Sequence, residues 1–144
     1  MGNYDFKKDL KEAKPYELLA LKKVEDYFNL KFCGLCEHKQ FDIAGKDSNG
    51  NLIKFEVKHD IENQKTGNIA IEFSSWGKPS GIEVTQADWW IQIIRDEYHC
   101  IHVDHLRNIL SNCSFRIVKG GDKGSNTWMY LINEYAFIMN CFQL

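Results

Sequence analysis

Only 2 prolines stand in the 144 residues, so nearly all of the chain is free to enter helices and ladders that proline would interrupt. No apolar run approaches the roughly 18 residues of a membrane-crossing helix, which argues against a membrane role. The opening MGNYDFKKDLKEAK has no apolar centre of the kind a signal peptide carries. Repeats and low-complexity runs are also missing, which excludes solenoid, fibrous and disordered classes. The 5 cysteines (Cys33, Cys36, Cys100, Cys113 and Cys141) form an odd set without the density of a small secreted scaffold. Reduced thiols in an intracellular, cytoplasmic protein are the expectation. A basic excess is lacking too, with 18 Lys and Arg against 20 Asp and Glu. Any phosphate contact must therefore come from local groups such as Lys7, Lys8, Lys11 and Lys14, or Lys119 and Lys123 beside the glycines of KGGDKGSN. That loop lacks the spacing of a phosphate-binding P-loop.

What is present is ordinary globular material, 44% hydrophobic and 13% aromatic, sufficient for a single domain over residues 1–144 that folds without staples. PYELLALKKVEDYFNL opens on Pro15 at a favoured first helical position and sets Ala20, Leu21, Val24 and Phe28 on one face. The same count lands on Glu17, which gives the apolar stripe a carboxylate at its N-terminal end. An acid in the first turn also complements the helix dipole. Residues 33–37 read as a connection, followed by strands over about 39–45 and 51–58 around DSNGN, a hairpin signal. GNIAIEFS alternates as a third strand, with Glu72 facing away from Ile71 and Phe73, and WGKPSG reads as a loop. Thr85 and Asp88 suggest a capped helical turn. WWIQII and HCIHV read as buried strands, in which Trp89 and Trp90 pack, and Asp104 as the cap of a short helix HLRNIL. A strand over about 115–118 and a mixed segment TWMYLINEYAFIMNCF complete the chain. The order predicts an α/β domain with a mixed sheet flanked by helices.

The stretch FDIAGKDSNGNLIKFEVKHD, residues 41–60, puts Asp42 before the turn and Glu56 and Lys58 after it. Solvent-facing alternation explains this pattern, and so does a hydrolytic metal site. A three-residue loop Ser48-Asn49-Gly50 would pair Asp47 with Asn51 and set Asp42 opposite Glu56. A two-residue Asn49-Gly50 turn would set Asp42 opposite Val57 and separate the acids unless a bulge intervened. In the first register two like charges face each other, which is destabilising until a cation joins them. Mg²⁺ takes oxygen ligands and keeps waters, so Asp42, Glu56 and the Val57 carbonyl would leave positions for a phosphate oxygen and an attacking water. Lys58 would orient that water and offset charge on the phosphate.

Asp42, the hairpin, and then Glu56-Val57-Lys58 resemble the PD-(D/E)XK motif of the restriction-endonuclease-like superfamily, with Phe41 where the motif has proline. The resemblance implies a core of helix, three-stranded antiparallel meander, helix and further strand, and a Mg²⁺- or Mn²⁺-dependent endodeoxyribonuclease. Many members, archaeal Holliday-junction resolvases among them, add an acid from the first helix, the place that Glu17 holds here. TGNIAIEF followed by GKPSGIEVTQADWW is similar to small phage-encoded endonucleases of the superfamily, in which the Lys78 and Ser80 loop follows the third core strand, and Lys78 and Ser80 are the expected substrate contacts. By this resemblance Glu17, Asp42, Glu56 and the Val57 carbonyl hold metal, Lys58 assists catalysis, and the substrate is branched or junction DNA cut by a homodimer. The alternative is a non-catalytic nucleic-acid-binding or assembly protein that keeps the fold with Asp42 and Glu56 as surface charges. Cys33, Cys36 and His38, with Cys100, His99 or His102, offer a zinc set, against the plainer reading of buried reduced thiols. His59 falls on the strand face opposite Lys58 and reads as a surface residue.

Overall fold

The structure is a computed structural model that describes residues 14–36, 41–59, 66–120 and 124–144. It is mixed α/β, as expected. Helix α1 (Pro15–Tyr27) starts on its proline and buries Glu17, Ala20 and Val24, the stripe that the spacing predicts. Three strands follow as an antiparallel meander: β1 (Lys31–Leu35), β2 (Ile43–Lys46) and β3 (Leu52–His59). Strands β4 (Asn68–Ser75) and β5 (Lys78–Pro79) form a hairpin, and a 3₁₀ turn (Gly81–Glu83) leads on to β6 (Trp89–Ile94) and β7 (Glu97–His102). Helix α2 (Val103–Asn112), strands β8 (Arg116–Gly120) and β9 (Thr127–Asn133), helix α3 (Glu134–Ile138) and strand β10 (Phe142–Gln143) complete the described chain. No helix among the described residues is long and apolar enough to cross a membrane.

The strands make two sheets: six strands in the order β1-β2-β3-β6-β7-β10 and four in the order β5-β4-β9-β8. Two expectations change here. Residues 33–35, within the stretch read as a connection, belong to β1, the first strand of the meander. The strand predicted at 67–74 does form, but in the second sheet, and β6 takes the free edge of β3 in parallel. Parallel neighbours need a crossover, and the β4–β5 hairpin lies within it. The predicted start of the second meander strand, residues 39 and 40, lies outside the described residues.

One core fills the space under α1, where Ala20 and Val24 meet Ile43, Phe55, Val57, Ile91, Ile93 and Cys100. The other is shared by both sheets, α2 and α3, with Ala44, Trp90, Ile94 and Ile101 against Ile69, Ile71, Ile132, Leu106 and Phe137. Each fully buried side chain of this size is worth about 1.5–3 kcal/mol of apolar burial. Gly45 on β2 leaves room for Cys33 of β1 and Leu30, since a Cβ there would sit 3.1 Å from the Cβ of Cys33 and from the Cδ1 of Leu30. The predicted helix near residue 105 starts earlier than expected. His102, not Asp104, caps α2, with its Nδ1 accepting the Asp104 N–H at 3.1 Å. Thr85 accepts the Ala87 N–H at 3.2 Å, while the Asp88 carboxylate accepts the Lys54 N–H at 2.8 Å and ties the entry of β6 to β3.

Candidate active site

The loop between β2 and β3 decides the register. Asp47 accepts the N–H groups of Asn49 and Asn51, both at 2.9 Å on Oδ1. Its own N–H reaches Asn51 O at 2.9 Å, and the Gly50 N–H returns to Asp47 O at 3.0 Å. Gly50 has φ +79°, the left-handed conformation that closes a three-residue loop without a Cβ clash. The ladder then runs Lys46–Leu52, Gly45–Ile53, Ala44–Lys54 and Ile43–Phe55. This is the register whose next step sets Asp42 at the level of Glu56.

Asp42 stands at the mouth of β2, gripped from both sides. Its N–H donates to Phe55 O at 2.8 Å and its carbonyl accepts the Cys36 N–H at 2.7 Å. Its Oδ2 accepts the Val57 N–H at 2.8 Å, so Asp42 takes the ladder position that β2 vacates. The N–H and C=O of one strand residue leave on the same edge, which directs the Val57 carbonyl to the Asp42 side. Glu56 is buried, and its Oε1 lies 3.2 Å from the Lys58 Nζ. Its Oε2 is buried without a hydrogen-bond partner. Burial pushes the Glu56 carboxyl above its usual range, Lys58 pulls it back, and the Asp42 charge pushes it up again. The Lys58 side chain is 41% exposed, with its ammonium 5.5 Å from the centre of the Trp90 ring.

The six-stranded sheet adds residues that the sequence reading missed. Lys58 is level with Gln92 on β6, and Gln92 with His99 on β7. Directly opposed side chains in a sheet lie about 5 Å apart at Cβ, so Lys58, Gln92 and His99 form a polar row beside Glu56 and Trp90. Gln92 is 1% exposed and accepts from the Trp90 Nε1 at 3.1 Å, yet its Nε2 is unpartnered. His99 is 5% exposed, and its Nε2 lies 3.5 Å from Glu97 Oε1 without forming a hydrogen bond. Buried polar atoms without partners are uncommon in proteins, and here Glu56, Gln92 and His99 each supply one on neighbouring strands. The available signal was a glutamine inside WWIQII and a histidine inside EYHCIH, each interrupting an apolar strand.

Glu17 is buried in the first turn of α1. Phe55 and Val57 point to the core under that helix, so strand alternation sends Glu56 to the opposite face. Among the described residues no group of three or more His, Cys, Asp or Glu side chains is gathered to hold a metal ion. Asp42, Glu56 and Lys58 come together; the convergence of a third acid expected from the sequence is not among these groups. Lys78 is exposed on β5 of the second sheet, not the one that carries Glu56, and Ser80, with its Oγ buried and unpartnered, follows that strand at the start of the 3₁₀ turn. Glu72 is half-buried on β4. His59 is exposed with its ring 4.6 Å from that of Tyr16 on α1, on the face away from Lys58 as expected. Trp90 is fully packed.

All five cysteines are free. Burial pushes the Cys33 thiol up to about 12 and the Cys36 thiol up to about 11, which keeps both protonated at neutral pH. His38, the nearest expected companion of this pair, lies outside the described residues. No family model, curated protein or solved structure matches the chain.

Proposed function

We propose that the chain is a Mg²⁺- or Mn²⁺-dependent endodeoxyribonuclease of the PD-(D/E)XK type that acts on branched DNA. The observation that carries this reading is the register of the β2–β3 hairpin, which gathers Asp42, Glu56 and Lys58 and leaves the Glu56 Oε2 buried and unmet. The order of helix α1, antiparallel meander and later strand β6 supports it, as does the resemblance of Asp42 and Glu56-Val57-Lys58 to the motif.

The donor set suits a hard divalent cation, since Asp42, Glu56 and the Val57 carbonyl are all oxygens and the orphaned Glu56 oxygen lacks a positive partner. Such an ion polarises a phosphoryl oxygen and acidifies a coordinated water. The chain supplies the rest. Asp42 is fixed by three backbone hydrogen bonds, so its carboxylate does not reorganise during turnover. The Lys58 ammonium orients the attacking water and offsets negative charge developing on the phosphate. Gln92 and His99, buried on the same face, back the site as a polar row behind Lys58. Junction DNA offers paired strands, and two copies of this chain related by a two-fold axis match them.

A second reading has its own support. Lys58 already neutralises Glu56, and the described residues hold no three-ligand group, which suits a nucleic-acid-binding or assembly protein that keeps the fold without cutting. Labelled junction, flap, duplex and RNA substrates, incubated with millimolar Mg²⁺ and either wild type or Lys58→Ala, separate the two. Cleavage of junctions by wild type and its loss in the variant is the expected result. Equal cutting by both proteins, or none by either, overturns the catalytic assignment.

A further inference from the structure

The second sheet presents two indoles to solvent at one end. Ser75 pairs with Lys78, so the turn between them is the two residues Trp76 and Gly77, with φ of 53° and 76°. A turn with both central residues at positive φ favours Asn-Gly, and a bulky side chain in the first place is strained by about 1–2 kcal/mol. Trp76 is nonetheless 68% exposed, and among the described residues its indole makes no hydrogen bond or ring contact. Solvation and backbone sterics both oppose a tryptophan there. The equivalent turn in the other sheet, Arg95-Asp96, also has two positive φ values, but there Arg95 pairs with Glu134.

The tip is held in place, since the Trp76 N–H donates to Asn126 O at 2.8 Å. Trp128 on β9, 38% exposed, lies level with Ser74 on one side and Lys119 on the other. The two tryptophans are thus about two residues apart along adjacent strands, roughly 7 Å of rise. Lys119, level with Trp128, is exposed on the same face of the sheet, whereas Lys78, level with Ser75 and Thr127, is exposed on the opposite face. The sole acid within the four strands of this sheet is the half-buried Glu72.

We infer that this end of the second sheet binds an unpaired nucleic-acid strand, with bases stacked on Trp76 and Trp128 and a phosphate met by Lys119. Every base has a π-face, so stacking platforms flanked by cations take single strands with little sequence preference, whereas paired bases are stacked on each other and unavailable. Duplex-free segments next to a branch point are the substrate this adds to the nuclease reading, on which the inference rests for its biological setting.

The test is fluorescence anisotropy of labelled oligo-dT, oligo-rU and blunt duplex with the full chain in EDTA, where no cleavage intervenes. Wild type is expected to bind the single strands more tightly than duplex, and the preferred oligomer tells DNA from RNA. Trp76→Ala and Trp128→Ala should each weaken single-strand binding roughly five- to hundred-fold. Lys119→Ala should lower the salt slope by roughly 0.7, whereas Lys78→Ala, on the opposite face, should leave it unchanged. Trp76→Asn is the decisive variant, because asparagine tolerates the left-handed turn: it should melt no lower than wild type and still lose binding. Equal binding by wild type and Trp76→Asn, or duplex bound as tightly as single strand, overturns the inference. Binding retained by Lys58→Ala, whatever its cleavage, keeps the outcome separate from that of the nuclease assignment.

Discussion

Strands β3, β6 and β7 show the same alternation to both sides of one sheet, and the two sides differ. Toward α1 they present Phe55, Val57, Ile91, Ile93 and Cys100, an apolar surface edged by His59 at the end of β3. Away from it they present Trp90, Ile94 and Ile101 interleaved with Glu56, Lys58, Gln92 and His99. A buried polar atom without a partner destabilises a fold by about 1–3 kcal/mol. Three such atoms on one face and none of those residues on the other locate where the sheet departs from optimal packing. Departures of this kind are expected at functional sites.

Substitutions on the two faces should diverge. The largest effect falls on the polar side, where Lys58→Ala is expected to lower single-turnover cleavage of a junction substrate about 10²- to 10⁴-fold, and also to lower the urea midpoint, because it leaves the buried Glu56 carboxylate without its cation. On the apolar side Phe55→Ala should remove about 3–5 kcal/mol of stability, read as a shifted urea midpoint at constant slope. Glu56→Gln should instead stabilise the fold in EDTA by about 1–3 kcal/mol at most, read as a raised melting temperature, because it removes a buried charge. Millimolar Mg²⁺ should stabilise wild type and leave that variant unmoved.

The pH dependence follows from the direction of the Glu56 shift. Burial raises its proton affinity in the folded state above the usual 4.5, so the folded protein binds this proton more tightly than the unfolded chain does. Its contribution is fully present below the unfolded value and is lost as pH rises through the raised one. Metal-free stability should therefore decline from that group over this range, and calorimetric melts of Glu56→Gln should lack the decline. The smallest effect is on the loop: Asp47→Ala should lose about 1 kcal/mol, visible as a lowered melting temperature, as the hydrogen bonds to Asn49 and Asn51 disappear.

Much of the site was legible because it is local. The period-2 pattern through Phe55 and Val57 puts Glu56 and Lys58 together, and the choice between two loops for Ser48-Asn49-Gly50 was reducible to one register. Strand β1 was hidden by its irregularity, with Phe32 at φ 53° and a register shift between Lys31 and Gly34 that breaks the alternation. GNIAIEFS announces a strand but not a partner, since alternation is silent about which edge it will join. Glu17 lay on the predicted stripe of its helix, yet the count along a helix does not tell which side of a distant sheet that stripe will meet. In the C-terminal segment, tyrosine, phenylalanine and isoleucine suit a strand throughout. The break at Asn133, whose side chain accepts the Tyr135 N–H at 2.9 Å and caps α3, comes from one hydrogen bond.

The polypeptide visits the first sheet for β1 to β3, the second for β4 and β5, the first again for β6 and β7, the second for β8 and β9, and ends in the first with β10. Neither sheet can be excised as a contiguous segment, and each depends on pairings between residues far apart in sequence, a topology that folds slowly. Hydrogen exchange should accordingly find amides of β4 and β6 opening in one concerted event. A lesion in the aromatic sheet would then be felt at the carboxylates through shared unfolding, long before any signal needed to pass between them.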